Sequence, residues 1–563
     1  MPANEGGAVS ERNALRFVAG AAAVALLASG IGATVSAEAA TTSPQFTPKL
    51  SAWGKCPSSY SDLQFKGVQC ARVTVPLNYN HPNNGQTTTI EISRLRHTSK
   101  HDQGIILTNP GGPGGAGLDL NLFLRGQLRA EGSKADKASI ADYDWIGFDP
   151  RGVGASNAIT CDTSYFNGPR EQYNPTTPSL LTYWKGRSQA YATACGTHSA
   201  AQTALLNNDT TVDSANDMNM IRVALHQRRL TYYGFSYGTY LGQVYSTLFP
   251  THVRRIIMDS NVDPRNIWYT ANLNQDIAFN RNVNIWFGWV AKNWRTYHVG
   301  RTAAAVHARF NAEEAKLKTT PIASGGSTVG PDEWIDIFLE TGYYEQTWLQ
   351  WTQAFSDWAR NHNAKAAAEI VSLYQFADSP GSDNGFAGYN AVQCTDIQWP
   401  TSWAKWAKDN TRVNKIAPFE TWANAWFNAP CLYWPAPAHS KTAMRISGKH
   451  IRSALLIDET LDAATPFEGS LYVRKIFPNS VLLAEPGGTT HADSLSGDLC
   501  VDNTIANYLA YGKLPKRDNH AKWDKTCKPL PRPVPSKSSA SASATPKMSP
   551  SIARMIPAGL LAH

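Results

Sequence analysis

The chain has 563 residues, 42% of them hydrophobic and 17% charged, which is a globular composition long enough for more than one domain. It excludes a wholly disordered, collagenous or small disulfide-scaffold protein. The net charge is +8, but +5 of it sits in the last 36 residues, so the mildly basic body gives no case for a nucleic-acid partner.

Residues 1–39 read as an export signal. Arg12 and Arg16 precede an apolar run from Phe17 to Ala28, and small residues offer cleavage sites after Ala37 or Ala39. The run is short and rich in Ala and Gly, and no later run of about 18 apolar residues follows. The mature chain is therefore expected to be secreted, without stable membrane insertion.

Eight apolar, β-branched runs then predict strands at 72–77, 88–95, 104–108, 143–149, 230–235, 254–259, 452–457 and 480–484. The first runs leave no room for helices between them and the later ones do. That order predicts an α/β fold whose mixed sheet becomes mostly parallel, with helices on both faces.

After the third run comes Asn109-Pro110-Gly111-Gly112-Pro113-Gly114-Gly115. A glycine loop at that place can aim backbone N–H groups of Gly111 and Gly112 at an oxyanion. Gly112, Gly114 and Gly117 also spell a dinucleotide fingerprint. Pro113 stiffens the loop and no acidic strand end follows at the expected distance, so no cofactor is expected.

The fifth run ends in Gly234-Phe235-Ser236-Tyr237-Gly238, with a helix-forming stretch behind it. Strand, G-x-S-x-G and helix together make a nucleophile elbow, which exposes Ser236 Oγ on a sharp turn. The Tyr237 N–H would join the glycine loop as a second oxyanion donor.

The strand pattern breaks after Asp263 and resumes near Ser453. Of the 18 tryptophans, 14 lie between Trp268 and Trp434, many at helical spacing. Residues 264–445 are read as a mostly helical insertion, its aromatics chiefly core, with a few lining a ligand cleft.

A serine hydroxyl needs a base, and in this chain order the acid precedes the histidine. Asp458, Glu459 and Asp462 follow the seventh run, and Asp259 ends the sixth. On the residues alone these acids remain open. His491 lies on the Gly-rich loop "PGGTTHADS" after the last run and is the expected base.

Residues 528–563 are rich in Pro, Ser and Ala and are expected to be a disordered tail. The eight cysteines form no CxxC, so no metal is expected. Successive pairing suggests Cys56–Cys70, Cys161–Cys195, Cys394–Cys431 and Cys500–Cys527.

The motifs "NPGGPGGAG", "DWIGFDPRGVGASN", "YYGFSYGTYLG", "RIIMDSNVDP", "AVQCTDIQWP", "TLDAATPFEG" and "GTTH" resemble, in order, the secreted tripeptidyl aminopeptidases of actinomycetes. These are α/β-hydrolase relatives of the proline iminopeptidases. The likeness covers roughly residues 50–527. It implies a serine exopeptidase releasing tripeptides from free N-termini of peptides or proteins, with Ser236, Asp462 and His491 as triad. It divides the chain into a signal (1–39), a hydrolase core (40–263 and 446–527), a helical cap (264–445) and the tail. Pro110 departs from the His that proline iminopeptidases carry there, and "LIDETLD" has charges where relatives often have Gln-Gly.

A tripeptide-releasing enzyme must hold the substrate's α-ammonium at a fixed distance from the serine, and a buried cation needs a carboxylate. Glu340, Glu345 and Asp396 in the cap are the candidates. An esterase or lipase of the same fold is the alternative reading, and a catalytically inert binding module a third.

Overall fold

The central strands are buried from end to end. All five residues of Ile105–Asn109 and all six of Leu230–Phe235 are inaccessible, as a sheet covered on both faces requires. Side chains alternate between two cores. Ile105 and Leu107, Tyr232, Ile256 and Met258 belong to one; Ile106, Tyr233, Phe235 and Ile257 belong to the other. Helices Thr211–Ala224 and Tyr237–Leu248 cover the first face; Leu120–Glu131, Lys134–Ala141 and Leu499–Tyr511 cover the second. Fully burying each such Ile or Leu is worth about 1.5–3 kcal/mol.

The structure, a computed structural model, describes residues 46–377 and 383–535. The expected export signal and the tail beyond residue 535 lie outside the described residues. In chain order the strands are β1 (Lys49–Leu50), β2 (Gln69–Pro76), β3 (Thr87–Leu95), β4 (Ile105–Asn109), β5 (Asp144–Phe148) and β6 (Leu230–Phe235). β7 (Val253–Asp259), β8 (Ile322–Ser324), β9 (Ser327–Val329), β10 (Ala454–Glu459), β11 (Ser480–Glu485) and β12 (Lys525–Thr526) follow.

Ten of them form one sheet in the order β1-β2-β3-β5-β4-β6-β7-β10-β11-β12. The pairs β1–β2, β2–β3 and β3–β5 are antiparallel. Every pair from β5 to β12 is parallel. This is the α/β-hydrolase arrangement. Its parallel strands end on one edge, and the loops after β6, β7, β10 and β11 carry Ser236, Ser260, Asp462 and His491.

Between β7 and β10 the chain is mainly helical, from Tyr269–Lys292 to Thr421–Asn428. It also contains the small antiparallel hairpin of β8 and β9. From Phe46 onward sheet and insertion fold as one unit. The insertion lies directly on the glycine loop. A Cβ on Gly114 would sit 2.8 Å from Tyr389 N, in helix Asn384–Asp396, so only glycine permits that approach.

Disulfides join Cys56–Cys70, Cys161–Cys195, Cys394–Cys431 and Cys500–Cys527. The start of the tail departs from the expected disorder. Arg532 pairs with Glu345 at 3.0 Å, and Trp289 Nε1 donates to the Pro533 carbonyl at 3.1 Å. A charge pair and an aromatic contact with the cap hold residues that composition alone marks as unstructured.

Candidate active site

Ser236 stands between β6 and helix Tyr237–Leu248 with φ 54° and ψ −126°. That conformation is strained for a residue with a side chain and persists only where the surroundings enforce it. Two contacts do so. Ser236 N donates to the Asp259 carbonyl at 3.0 Å, and the Thr239 hydroxyl donates back to the Ser236 carbonyl at 2.6 Å. Gly238 is required because a Cβ there would lie 2.7 Å from Asn109 Oδ1. Tyr237 opens the helix, so its N–H has no intrahelical acceptor and is free for a ligand.

The glycine loop is set by side chains that sequence reasoning passed over. Asn109 Oδ1 accepts the Gly111 N–H at 3.0 Å. Asp149, at the end of β5, accepts from Gly117 N at 2.9 Å and Leu118 N at 3.2 Å. The first of these contacts corrects an expectation: Gly111 N–H is already spent, whereas Gly112 reaches the wall of the pocket beside Ser236 and Tyr237.

His491 Nδ1 lies 2.8 Å from Asp462 Oδ2, and both residues are buried. Thr465 holds the carboxylate in place, its N–H donating to Oδ1 at 3.1 Å and its hydroxyl to Oδ2 at 2.9 Å. Burial would raise the Asp462 carboxyl, but the charge and hydrogen bond of a protonated His491 outweigh it and hold the group below the usual carboxylate value. With Nδ1 engaged, Nε2 is the nitrogen left for proton exchange.

The three rival acids are otherwise occupied. Asp259 accepts Ser494 N at 2.9 Å and so fastens the histidine loop. Burial pushes its carboxyl up to about 6. Asp458 accepts the Ser470 hydroxyl at 2.5 Å, and Glu459 accepts the N–H of Thr490. The loop is tied to the cap as well, since His491 N donates to the Tyr343 carbonyl at 2.9 Å.

A cavity of about 420 Å³ opens at Ser236 between sheet edge and cap. That volume falls in the range of about 300–1,000 Å³ typical of small-ligand sites. Gly112, Tyr237 and Thr465 come from the core, and Trp268, Tyr343 and Tyr389 from the insertion. Trp268 is the insertion's one tryptophan on this wall among the described residues; Trp286, Trp334, Trp348, Trp351, Trp406 and Trp426 are wholly buried core.

A tripeptidyl aminopeptidase of Streptomyces lividans is 37% identical to the chain over 478 residues, covering 83% of this chain and 85% of that protein. The chain belongs to the tripeptidyl aminopeptidase family. It is an enzyme of the serine aminopeptidase class on the α/β-hydrolase fold. The family profile described as TAP-like protein matches residues 417–521, which carry Asp462 and His491. Serine protease Hip1 of Mycobacterium tuberculosis is 27% identical over 512 residues, 88% of this chain and 95% of its own. Carboxylesterase B of the same organism is 28% identical over 488 residues, 84% and 90% of the two chains.

Within this family member, none of the three carboxylates expected to anchor an ammonium lines the pocket. Asp396 accepts the Thr211 N–H at 2.7 Å, the Thr211 hydroxyl at 2.6 Å and Trp268 Nε1 at 3.1 Å, so it fixes a helix start and a pocket tryptophan. Glu345 accepts the Thr489 hydroxyl at 2.6 Å and pairs with Arg532. Glu340 is buried with no ion pair among the described residues, and burial pushes its carboxyl up to about 8. The carboxylates on the wall are instead Asp263 and Glu468. Asp263 is bound by Arg265, with 2.5 Å to Nη2 and 2.9 Å to Nε, whereas Glu468 is exposed, forms no ion pair among the described residues, and lies near the charge of Arg281 on the same wall. Its signal was the "TPFEG" just past Asp462.

Proposed function

We propose that the chain is a secreted exopeptidase that releases tripeptides from free N-termini through an acyl-enzyme on Ser236. The observation that carries the reading is the 2.8 Å His491–Asp462 pair on a loop bonded to the same sheet edge as the strained Ser236 turn. His491 Nε2 takes the proton as Ser236 Oγ attacks the scissile carbonyl. Asp462 holds the imidazole in the tautomer that this requires. The oxyanion is met by the N–H groups of Gly112 and Tyr237, each donor worth about 3–4 kcal/mol in the transition state. His491 then protonates the leaving amine, and water repeats the sequence on the acyl-enzyme.

Export is supported by the four disulfides, which form and persist in oxidising compartments. No helix of the described residues is long and apolar enough to cross a membrane. Tripeptide length is supported by a pocket of limited volume with an exposed carboxylate, Glu468, on its wall beside Arg281. A substrate ammonium at the mouth of that pocket would meet this carboxylate.

Three substrates test the proposal: a free Ala-Ala-Pro anilide, its acetyl-blocked form and a short acyl ester. Turnover of the free tripeptide anilide with rejection of the blocked one is expected. Glu468→Gln should raise KM for the free tripeptide about tenfold or more and leave the neutral ester unchanged. Ester cleavage alone would favour the esterase reading, which the similarity to carboxylesterase B keeps in view.

A further inference from the structure

Tyr237 brings a side chain to the site as well as a backbone N–H. Its hydroxyl lies 2.9 Å from the Thr211 hydroxyl, which in turn lies 2.6 Å from Asp396 Oδ2. A threonine hydroxyl has one proton to give. The carboxylate takes it, so Tyr237 is the donor in the first bond. The result is a directed chain from Tyr237 through Thr211 to the negative charge of Asp396. Asp396 Oδ1 also accepts the Thr211 N–H at 2.7 Å, so the middle residue is gripped at two points. Bonds to an ionised acceptor are shorter and about twice as strong as neutral ones.

The same carboxylate holds part of the pocket wall. Trp268 Nε1 donates to Asp396 Oδ2 at 3.1 Å. The Trp268 ring packs against those of Tyr237 and Tyr240, with centroids 5.8 Å and 5.2 Å apart. Tyr237, Thr211 and Trp268 are all buried, so little water competes for these bonds. Asp396 ends the cap helix Asn384–Asp396, and the Cys394–Cys431 disulfide fastens that end two residues earlier. The nucleophile elbow, the helix Thr211–Ala224 and the cap thus meet at one side chain.

Tyr237 directly follows the strained Ser236 and opens its helix. An oxyanion donor is effective only over a narrow range, about 2.7–3.1 Å from the developing charge. The Tyr237 hydroxyl is the far end of the residue that carries such a donor, and tying it down restricts how that residue can turn. We infer that Asp396, acting through Thr211, is a positioning residue that sets the Tyr237 N–H for catalysis and the Trp268 ring for substrate. The inference rests on the reading of Ser236 as nucleophile and the Tyr237 N–H as oxyanion donor.

The test compares the parent with Thr211→Val, Thr211→Ser, Tyr237→Phe, Thr211→Val and Tyr237→Phe together, and Asp396→Ala. Kinetics are measured on a short acyl ester and on free Ala-Ala-Pro anilide. The rate of Ser236 labelling by a fluorophosphonate reports the nucleophile whatever the natural substrate. Thr211→Val keeps the side chain's shape and removes its hydroxyl. It should lower kcat and the labelling rate about tenfold or more, with little change in KM. Tyr237→Phe should do the same, and the double variant no worse, because each cuts the same link. Thr211→Ser restores the hydroxyl and should stay near the parent. Asp396→Ala should lower kcat and also raise KM for the anilide, since it releases Trp268. Parental kcat in folded Thr211→Val, Tyr237→Phe or Asp396→Ala would overturn the inference. So would losses that add in the double variant, or a Thr211→Ser variant as slow as Thr211→Val. Tyr237→Phe carries the test if Thr211→Val does not fold. A parent that resists labelling at Ser236 would instead refute the acyl-enzyme reading, and the inference with it.

Discussion

Asp462 and Asp259 are both buried at the active edge of the sheet, but they face different partners. Asp462 meets His491 Nδ1, and Asp259 meets the backbone of Ser494. Asp462→Asn should therefore cost about 10³–10⁴-fold in kcat, since only the true acid holds the imidazole tautomer. Asp259→Asn should cost far less; the reverse order, measured on purified folded variants, would move the acid to Asp259. Ser236 and His491 were legible in the sequence because each sits in a short local pattern that dictates its turn. The acid was not legible from local pattern alone, because Asp458, Glu459, Asp462 and Asp259 are all near sheet ends; the resemblance singled out Asp462, and the folded loop brings that one to the imidazole. Side-chain direction also defeated the ammonium candidates, as Asp396 turns to Thr211 and Glu345 to Thr489. Glu340 yields a pH test. A free glutamate titrates at 4.5, and burial pushes this one up to about 8. Between those values the folded chain keeps a proton that the unfolded chain sheds, so this group's ionisation erodes stability as pH rises through that window. Glu340→Gln should gain in melting temperature relative to the parent from pH 5 to pH 8. A constant difference would show that the group is not held neutral.

Elements repeat the same lesson at a larger size. All eight strand runs reappear as β2 to β7, β10 and β11 with ends shifted by a few residues; the buried parallel strands from β4 onward write themselves as nearly continuous apolar text, and the partly exposed antiparallel β2 and β3 as β-branched alternation. The two-residue strands β1 and β12 carry too little of it and exist only by pairing with β2 and β11. The β8–β9 hairpin had a signal in Gly325-Gly326, a turn suited to positive φ, overshadowed by the helical pattern around it. The strand-turn-helix element at Ser236 tolerates least change. Gly238→Ala would drive its Cβ to 2.7 Å from Asn109 Oδ1, the atom that also holds Gly111. Moving the elbow and the oxyanion loop together should lower kcat/KM about 10²-fold or more. Near-parental kinetics in that variant would show that the elbow can shift without harm.

At the scale of the molecule, the cap is bound to the catalytic edge at several places. Tyr343 receives the His491 N–H, Glu345 receives Thr489, and Gly114 packs under Tyr389. The tail joins through Arg532, so its first residues stabilise the segment that also contacts the histidine loop. Composition located the insertion by its tryptophans but could not show that most of them are buried in its core, nor that a single one reaches the pocket. The four disulfides close loops of 14 to 37 residues on the core and cap alike. Together these contacts hold the insertion over the cavity at Ser236. The most direct measurement is timed mass spectrometry of an unblocked peptide of about ten residues incubated with the enzyme. The account predicts products shortened by three residues at a time from the N-terminus, none from the acetylated peptide, and none with Ser236→Ala. Removal of single residues, internal cleavage, or equal digestion of the acetylated peptide would contradict it.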